Sequence, residues 1–393
     1  VQLSPQARLL LGLTFIMSLT FATWNALLNN FVVEVASFDG AQIGMLQSLR
    51  EVPGFLAFTA VFVLLILKEQ VFALVAMALM CIGVALTGYF PSVYGLYATT
   101  LLMSIGFHYY ETINQSLTLQ WLPKDQAAEF MGKALSIKAA GALVAYGMIY
   151  LGMTWLELDY QWIYLASGLM GLMALGYLVY RFPIFKGGAT QHKKLIIKKD
   201  YWLYYGLTFF SGARRQIFVV FAGFLMVEKF GFSVTDITTL FLVNYLFNLT
   251  CAPALGRFIK RFGDRNALLV EYVGLILVFV GYGLADEAWQ AAVLYVIDHL
   301  LFALAIAMRS YLQKIADPQD LASTSSVSFT INHIAAVFIP ALLGLVWLND
   351  HSLVFFIGAG FAVCSLLLSL LVPKDPNPEL PYLGGRRRPV ESA

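Results

Sequence analysis

Charge is what this chain has least of. Asp, Glu, Lys and Arg together make up 12% of 393 residues, against 60% hydrophobic ones, and the mean hydropathy is +0.75. A soluble globular domain, about a quarter charged, is excluded. Cysteine is also scarce: Cys81, Cys251 and Cys364 stand singly in apolar surroundings. With no CxxC or metal-ligand spacing, neither a disulfide framework nor a zinc site is expected, and the three read as packing residues. Short segments of alternating polarity are absent, so the sequence does not read as a β-barrel. No HExxH occurs either, and His108-x-x-Glu111 alone is too small a fragment to argue for a metalloenzyme. No cofactor, bound metal or nucleic-acid partner is expected.

What remains is a series of apolar runs of about twenty residues, recurring from Leu9 to Leu371. In lipid each can satisfy its own backbone only as a helix. Arg8 is the one charge ahead of the first run, which is too long for a signal-peptide core, so that helix is expected to be retained. The triplets beginning at Asn114 and Asn248 match the glycosylation pattern but fall inside spans, where they are chance matches. Dividing the hydropathy at its polar breaks gives twelve spans. The expected fold is an all-α polytopic membrane protein: a six-helix bundle over 1–180, a basic linker over 181–200, a second six-helix bundle over 201–372, and a disordered tail over 373–393.

Orientation follows from the bases. Nineteen of the 25 Lys and Arg residues fall on the face shared by both ends and the linker, five lie inside spans, and only Lys229 remains for the opposite face. The positive-inside rule then puts both termini in the cytoplasm, with a bacterial inner membrane as the expected location. The halves carry a faint repeat at an offset of about 194 residues, where QWLPKDQAAEFMGKALSIKAAGALV parallels QKIADPQDLASTSSVSFTINHIAAV. Duplicated halves with a solute site near mid-membrane are the build of many secondary transporters.

Polarity inside the spans is selective. Spans three, six and twelve have no charge in their cores, and span nine has only Glu271, near its cytoplasmic start. These four read as lipid-facing scaffold. Elsewhere, intramembrane polar groups are expected to face inward, because lipid offers them no partner. Span one carries Asn25 and Asn29 a turn apart, and span two carries Arg50 and Glu51 beside Pro53-Gly54. Span four has His108, Glu111 and Gln115 on one stripe. The others contribute Lys138, the adjacent Arg214 and Arg215, Asn244, Asp298 with His299, Arg309 and His333.

The adjacent arginines are the sharpest conflict with lipid. A guanidinium at bilayer depth costs roughly 3 kcal/mol on insertion scales, so each needs water or a counter-charge. About 100° apart around the helix, the two need not face the same way. Five intramembrane bases outnumber three clear acids, Glu51, Glu111 and Asp298, and surplus positive charge suits an anion, which arginine grips at two points.

Taken together, these features resemble the major facilitator superfamily over essentially the whole chain: six plus six spans, a basic central linker and apolar third, sixth, ninth and twelfth helices. The stretch GRFIKRFGDR, from Gly256 to Arg265, is similar to that family's loop signature Gly-x-x-x-Asp-Arg-x-Gly-Arg-Arg/Lys. Gly256, Arg261, Gly263 and Arg265 match, while Lys260 stands where an acid is usual and Asp264 where a base is usual. The first-half copy is reduced to Lys68-Glu69-Gln70. No Gly-Pro ends the glycine series on span five, which disfavours the drug-antiporter branch.

The resemblance implies a monomeric secondary transporter embedded in lipid and working by alternating access, not an enzyme. The expected cargo is a small organic anion, coupled to protons. Candidate solute contacts are Arg214, Arg215, Arg50, Asn25, Asn29, Asn244, Gln115 and His333. Candidate proton carriers are Glu111, His108, Asp298 and Glu51, with Lys138 and Arg309 as charge partners. Two other readings remain open, a proton-driven exporter of amphipathic compounds lined by some of the 31 Phe, 20 Tyr and 7 Trp, and a transition-metal-ion transporter using His108, Glu111, His299 and His333.

Overall fold

The computed structural model describes residues 3–122, 127–185, 198–316 and 321–384. Among them every regular element is helical, apart from one isolated bridge between Asn377 and Leu380. Among the described residues, nine helices are long and apolar enough to cross a membrane. Most of the expected linker and the last residues of the tail lie outside the described residues.

By Cα proximity the chain divides into two compact units. The first consists mainly of 48–191 with the N-terminal 42 residues, and the second mainly of 192–232 and 239–393.

The N-terminal unit holds α1 (Pro5–Glu34), α2 (Gly40–Phe55), α3 (Ala60–Leu64), α4 (Glu69–Thr87), α5 (Val93–Trp121), α6 (Ala127–Tyr150) and α7 (Tyr160–Arg181). Helix α1 packs along α6 and α7, and α4 along α5 and α7. The α4/α5 contact is very close, because small residues let the backbones approach. A Cβ on Gly83 would fall 2.5 Å from the Met103 backbone nitrogen, and one on Gly106 2.3 Å from that of Met80. This seam sets the position of Ser104 and His108 on α5.

The second span, expected over 42–67 with a helix bend at Pro53-Gly54, is interrupted just after that point. Helix α2 ends at Phe55, a 3-10 turn spans Ala57–Thr59, and α3 is five residues long. Pro53 is the cause: it lacks an N–H and its ring crowds the carbonyl one turn back.

The C-terminal unit holds α8 (Trp202–Gln216), α9 (Gly223–Glu228), α10 (Val234–Leu284), α11 (Ala288–Phe302), α12 (Ile306–Ile315), α13 (Leu321–Trp347) and α14 (His351–Ser369). Two expected spans carry irregular turns at their centres. A π segment, Ile217–Ala222, joins α8 to α9 directly after the arginine pair, and a 3-10 turn, Ala303–Ala305, joins α11 to α12 just after Asp298 and His299. Trp347 stacks on Phe221 with centroids 5.2 Å apart, and its Nε1 donates to Glu228 Oε2 at 2.8 Å, tying α13 to α9.

Helix α10 is two helices in one, bent at Gly263, whose φ of 82° and ψ of 162° are not helical. That region is essentially closed to residues with a Cβ, which gives the matching glycine of the loop signature a physical reason. The next residue, Asp264, is fully buried and accepts a hydrogen bond from Lys314 Nζ at 2.7 Å. This pair ties α12 to the start of the second half of α10.

The first part of the tail, as far as Gly384, lies among the described residues and makes contacts with the helices. Tyr311 donates its hydroxyl to the Pro381 carbonyl at 2.5 Å, the Leu383 N–H donates to the Leu371 carbonyl at 2.8 Å, and Tyr382 meets Trp202 edge to face. Apolar Leu and Tyr side chains among the prolines supply contacts that composition averaged away.

Two glycine substitutions should separate backbone strain from packing. Gly263→Ala is expected to destabilise the protein by about 1–3 kcal/mol through backbone conformation, since the new Cβ would meet nothing nearer than the Lys374 carbonyl at 3.8 Å. Gly147→Ala, in helix α6 with open space around it, is expected to be neutral or to stabilise by up to about 1 kcal/mol. Thermal unfolding of the detergent-solubilised protein checks both.

Candidate functional site

The intramembrane charges fall into one constellation in each unit. In the C-terminal unit, α8 turns Ala213, Arg214 and Gln216 into the packed interior and leaves Arg215 exposed. Arg214 has no accessible surface. Its Nε donates to the Phe210 carbonyl one turn back at 3.2 Å, and its guanidinium lies over the Tyr272 ring, 4.5 Å from the centroid. An Nη sits 3.9 Å from Glu271 Oε1, an ion-pair distance too long for a hydrogen bond. Asp298, on α11, is also without accessible surface.

Glu271 is therefore the partner that the reading of span nine as scaffold overlooked. It lies about 12 Å along the helix from Gly263 at the usual rise and is fully buried. Its apolar neighbours hide it, yet the signal is available: a buried arginine demands a counter-charge, and Glu271 is the one Asp, Glu, Lys or Arg of its span. With Glu271 counted, the surplus of positive charge inside the membrane shrinks, and Arg214 is a paired group.

In the N-terminal unit, α2 and α5 bring Arg50, Glu51, Ser104 and His108 together. An Arg50 Nη donates to Glu51 Oε1 at 2.5 Å, and the other carboxylate oxygen is 3.8 Å from His108 Nε2. Ser104 donates its hydroxyl to the Arg50 carbonyl, across the two helices. His108 Nδ1 lies 3.0 Å from the Ser104 hydroxyl oxygen and 3.1 Å from the Ser104 carbonyl. Since that carbonyl can only accept, Nδ1 is assigned the proton, and Nε2 is left facing Glu51. The imidazole thus pairs with Glu51 rather than with Glu111, three residues further along its own helix. Ser104, which the sequence reading did not single out, orients both groups.

The other candidates are more scattered. Asn25 and Asn29 are half-buried on α1, while their neighbour Asn30 is fully buried and donates to Glu34 Oε1 at 2.9 Å. Ser18 donates to the Lys138 carbonyl at 2.5 Å, fixing α6 against α1, and the Lys138 side chain is exposed. Gln115 and Arg309 are exposed, and Glu111 is half-buried. Asn244 is buried, and His333 Nδ1 bonds the Phe329 carbonyl at 2.8 Å within α13. Of the loop signature, Arg261 is exposed and Arg265 half-buried. Gly256 and Asn248 lie outside the described side chains.

Comparison with known proteins settles the family. The model of the Major Facilitator Superfamily matches residues 9–340 and 204–392. The chain belongs to the major facilitator superfamily. It is accordingly an integral membrane protein and a secondary transporter, not an enzyme. Among solved structures it is similar to the nucleoside transporter NupG, with TM-score 0.74, 16% identity, and coverage of 93% of this chain and 98% of that one. A bacterial homologue of the human lysosomal transporter Spinster, inward-facing and unoccupied, gives TM-score 0.69 at 15% identity, covering 94% and 97%. A POT family transporter in complex with 5-aminolevulinic acid gives 0.71 at 14% identity, covering 93% and 95%. At these identities the likeness is one of fold. No curated protein matches the sequence.

The buried pair makes a stability prediction for this superfamily member. Arg214→Gln should lower unfolding stability by about 3–5 kcal/mol, because it strands carboxylates without their cation. Adding Glu271→Gln should recover part of that loss, whereas Arg215→Gln alone should leave stability nearly unchanged. A double-mutant cycle on thermal unfolding measures all three.

Proposed function

We propose that this superfamily member carries a small organic anion, coupled to protons, and that Arg215 is the cation that meets the solute. The single observation behind this reading is the contrast within one arginine pair. Arg214 is sealed against Glu271 and Tyr272, while Arg215, next in sequence and near the middle of the 30-residue span Lys199–Glu228, is exposed. A bare guanidinium at that depth is stable only against water or an anion, because lipid would impose the full insertion cost. Its planar fork suits carboxylate or phosphate. Lys138 and Arg309, likewise exposed inside spans, add positive potential for the same class of solute.

Proton coupling is assigned in this reading to the Glu51–His108 pair. One proton can reside on the imidazole, giving an ion pair, or on the carboxyl, giving two neutral groups. Arg50 holds the second carboxylate oxygen side and gains or loses a full counter-charge as the proton moves. Release of that proton to water, its bonding pair staying behind, leaves a carboxylate beside a neutral imidazole and lowers the net charge of the cluster by one, and such a change is what a coupled cycle uses to bias its states. Both termini and the linker are taken to be cytoplasmic, and the working form to be a monomer in lipid.

Uptake of labelled organic anions into proteoliposomes, with and without a pH gradient, tests the proposal. Arg215→Lys should weaken solute binding, and Arg215→Gln should weaken it about ten- to hundred-fold, as loss of a charge-assisted contact does. Anion binding that survives Arg215→Gln unchanged would remove this residue from the site. Glu51→Gln should retain exchange of solute across the membrane but lose accumulation driven by pH alone. If Glu111→Gln shows that phenotype and Glu51→Gln does not, the proton travels on Glu111.

A further inference from the structure

Any lipid-facing helix touches acyl chains along an apolar wall, but one place in the C-terminal unit is concave. Gly281 and Leu284 near the end of α10, with Trp289, Gln290, Val293 and Leu294 at the start of α11, line a groove of about 320 Å³. That is the small end of the range for ligand pockets, about 300–1,000 Å³. Gly281 helps to shape it: a Cβ there would fall 2.9 Å from Leu294 Cδ2, so Leu294 lies against bare backbone. Leu284 and Trp289 are each 65% exposed and Val293 47%, so nothing among the described residues covers these side chains.

The groove lies at the level of a membrane interface. Three apolar spans end or begin beside it, at Glu228, Leu284 and Ala288, and an exposed tryptophan such as Trp289 belongs at that depth. The connection over 285–287 forms the rim. Gln290 Oε1, inside the groove, accepts from the N–H groups of Asp286 at 2.9 Å and Glu287 at 3.1 Å. Lys229, directly after α9, donates its Nζ to the Ala285 carbonyl at 2.8 Å and lies 3.8 Å from Asp286 Oδ1. The carbonyl takes one of three ammonium donors, and 3.8 Å is too long for a hydrogen bond. The ammonium therefore has donors for an incoming anion, while Asp286 and Glu287 stand exposed beside it.

We propose that this groove is a lipid-binding site for a zwitterionic phospholipid whose headgroup ends in a primary amine. One acyl chain lies in the groove, the phosphate meets Lys229, and the headgroup ammonium meets Asp286 and Glu287. Charge complementarity selects this occupant. The rim carries one positive and two negative side chains, an excess that repels a headgroup of net negative charge and suits one that brings both signs. A primary ammonium also donates N–H groups to the carboxylates, as lysine does, whereas the trimethylated nitrogen of choline has none to give. The site depends on neither the transported solute nor the Glu51–His108 assignment.

Photolabelling of the full chain in vesicles tests it, with phosphatidylethanolamine carrying a diazirine in one acyl chain and the labelled peptides mapped. Label should concentrate on 281–294. Unlabelled phosphatidylethanolamine should compete about three- to tenfold better than phosphatidylcholine or phosphatidylglycerol, the range that a pair of exposed charge contacts supplies. Val293→Phe, which fills the groove from an exposed position, should lose the label there. Asp286→Asn with Glu287→Gln should keep the label but erase the preference among lipids, and Lys229→Gln should weaken labelling whichever lipid competes. Label spread evenly over the spans, equal competition by the three lipids, or undiminished label in Val293→Phe overturns the proposal. Competition won by phosphatidylglycerol would replace it with an anionic-lipid site. The wild-type measurements decide between these results even if a variant fails to fold.

Discussion

Compensation of charge inside a low-dielectric interior is the constraint on which the arrangement rests. Removing a carboxylate or guanidinium from water carries a penalty of several kcal/mol per ion even after relaxation, so every charge in a span must find a partner, a proton or water. Partners and water account for the arginines. Arg214 is set against Glu271 and Tyr272 in the interior of the C-terminal unit. Arg50 is matched by Glu51, with His108 on the other side of the carboxylate. Arg215 is left exposed and must meet water. These dispositions follow from two adjacent residues falling about 100° apart on one helix.

Helix irregularity accompanies the charges. The π segment begins two residues after Arg215, the 3-10 turn Ala303–Ala305 follows His299, and α2 breaks just after Arg50 and Glu51. Charged side chains need a particular aim, and an extra or missing residue per turn re-aims them without changing the span. The same irregular turns are the least regular parts of their helices, which puts deformable backbone beside groups whose charge can change.

The membrane class and the superfamily were legible from the scarcity of charge, the recurring apolar runs and the loop signature, and the family match bears them out. Pro53 warned of the break in α2, though its extent depended on how the chain resumed over Ala57–Thr59. Less legible was the pairing. Glu271 is hard to see in the composition of span nine, because a single acid in an apolar helix weighs little in an average and much in a packed interior. His108 and Glu111 share a stripe on α5, and the sequence offered that contact. Glu51 on another helix was closer in space, a long-range proximity that no spacing rule encodes. In the tail, prolines and glycines dominate the composition, while Tyr382 and Leu383 contact Trp202 and Leu371.

The central claim is that one arginine of the pair is sealed and the other faces water. Modification of single cysteines by a charged, membrane-impermeant thiol reagent measures this directly, with Cys81, Cys251 and Cys364 replaced by alanine or serine to remove background. Arg215→Cys should react readily in the membrane and be protected by the transported solute, while Arg214→Cys should stay unreactive until the protein unfolds. Equal reactivity at the two positions, or reaction at 214 with 215 inert, would contradict the account.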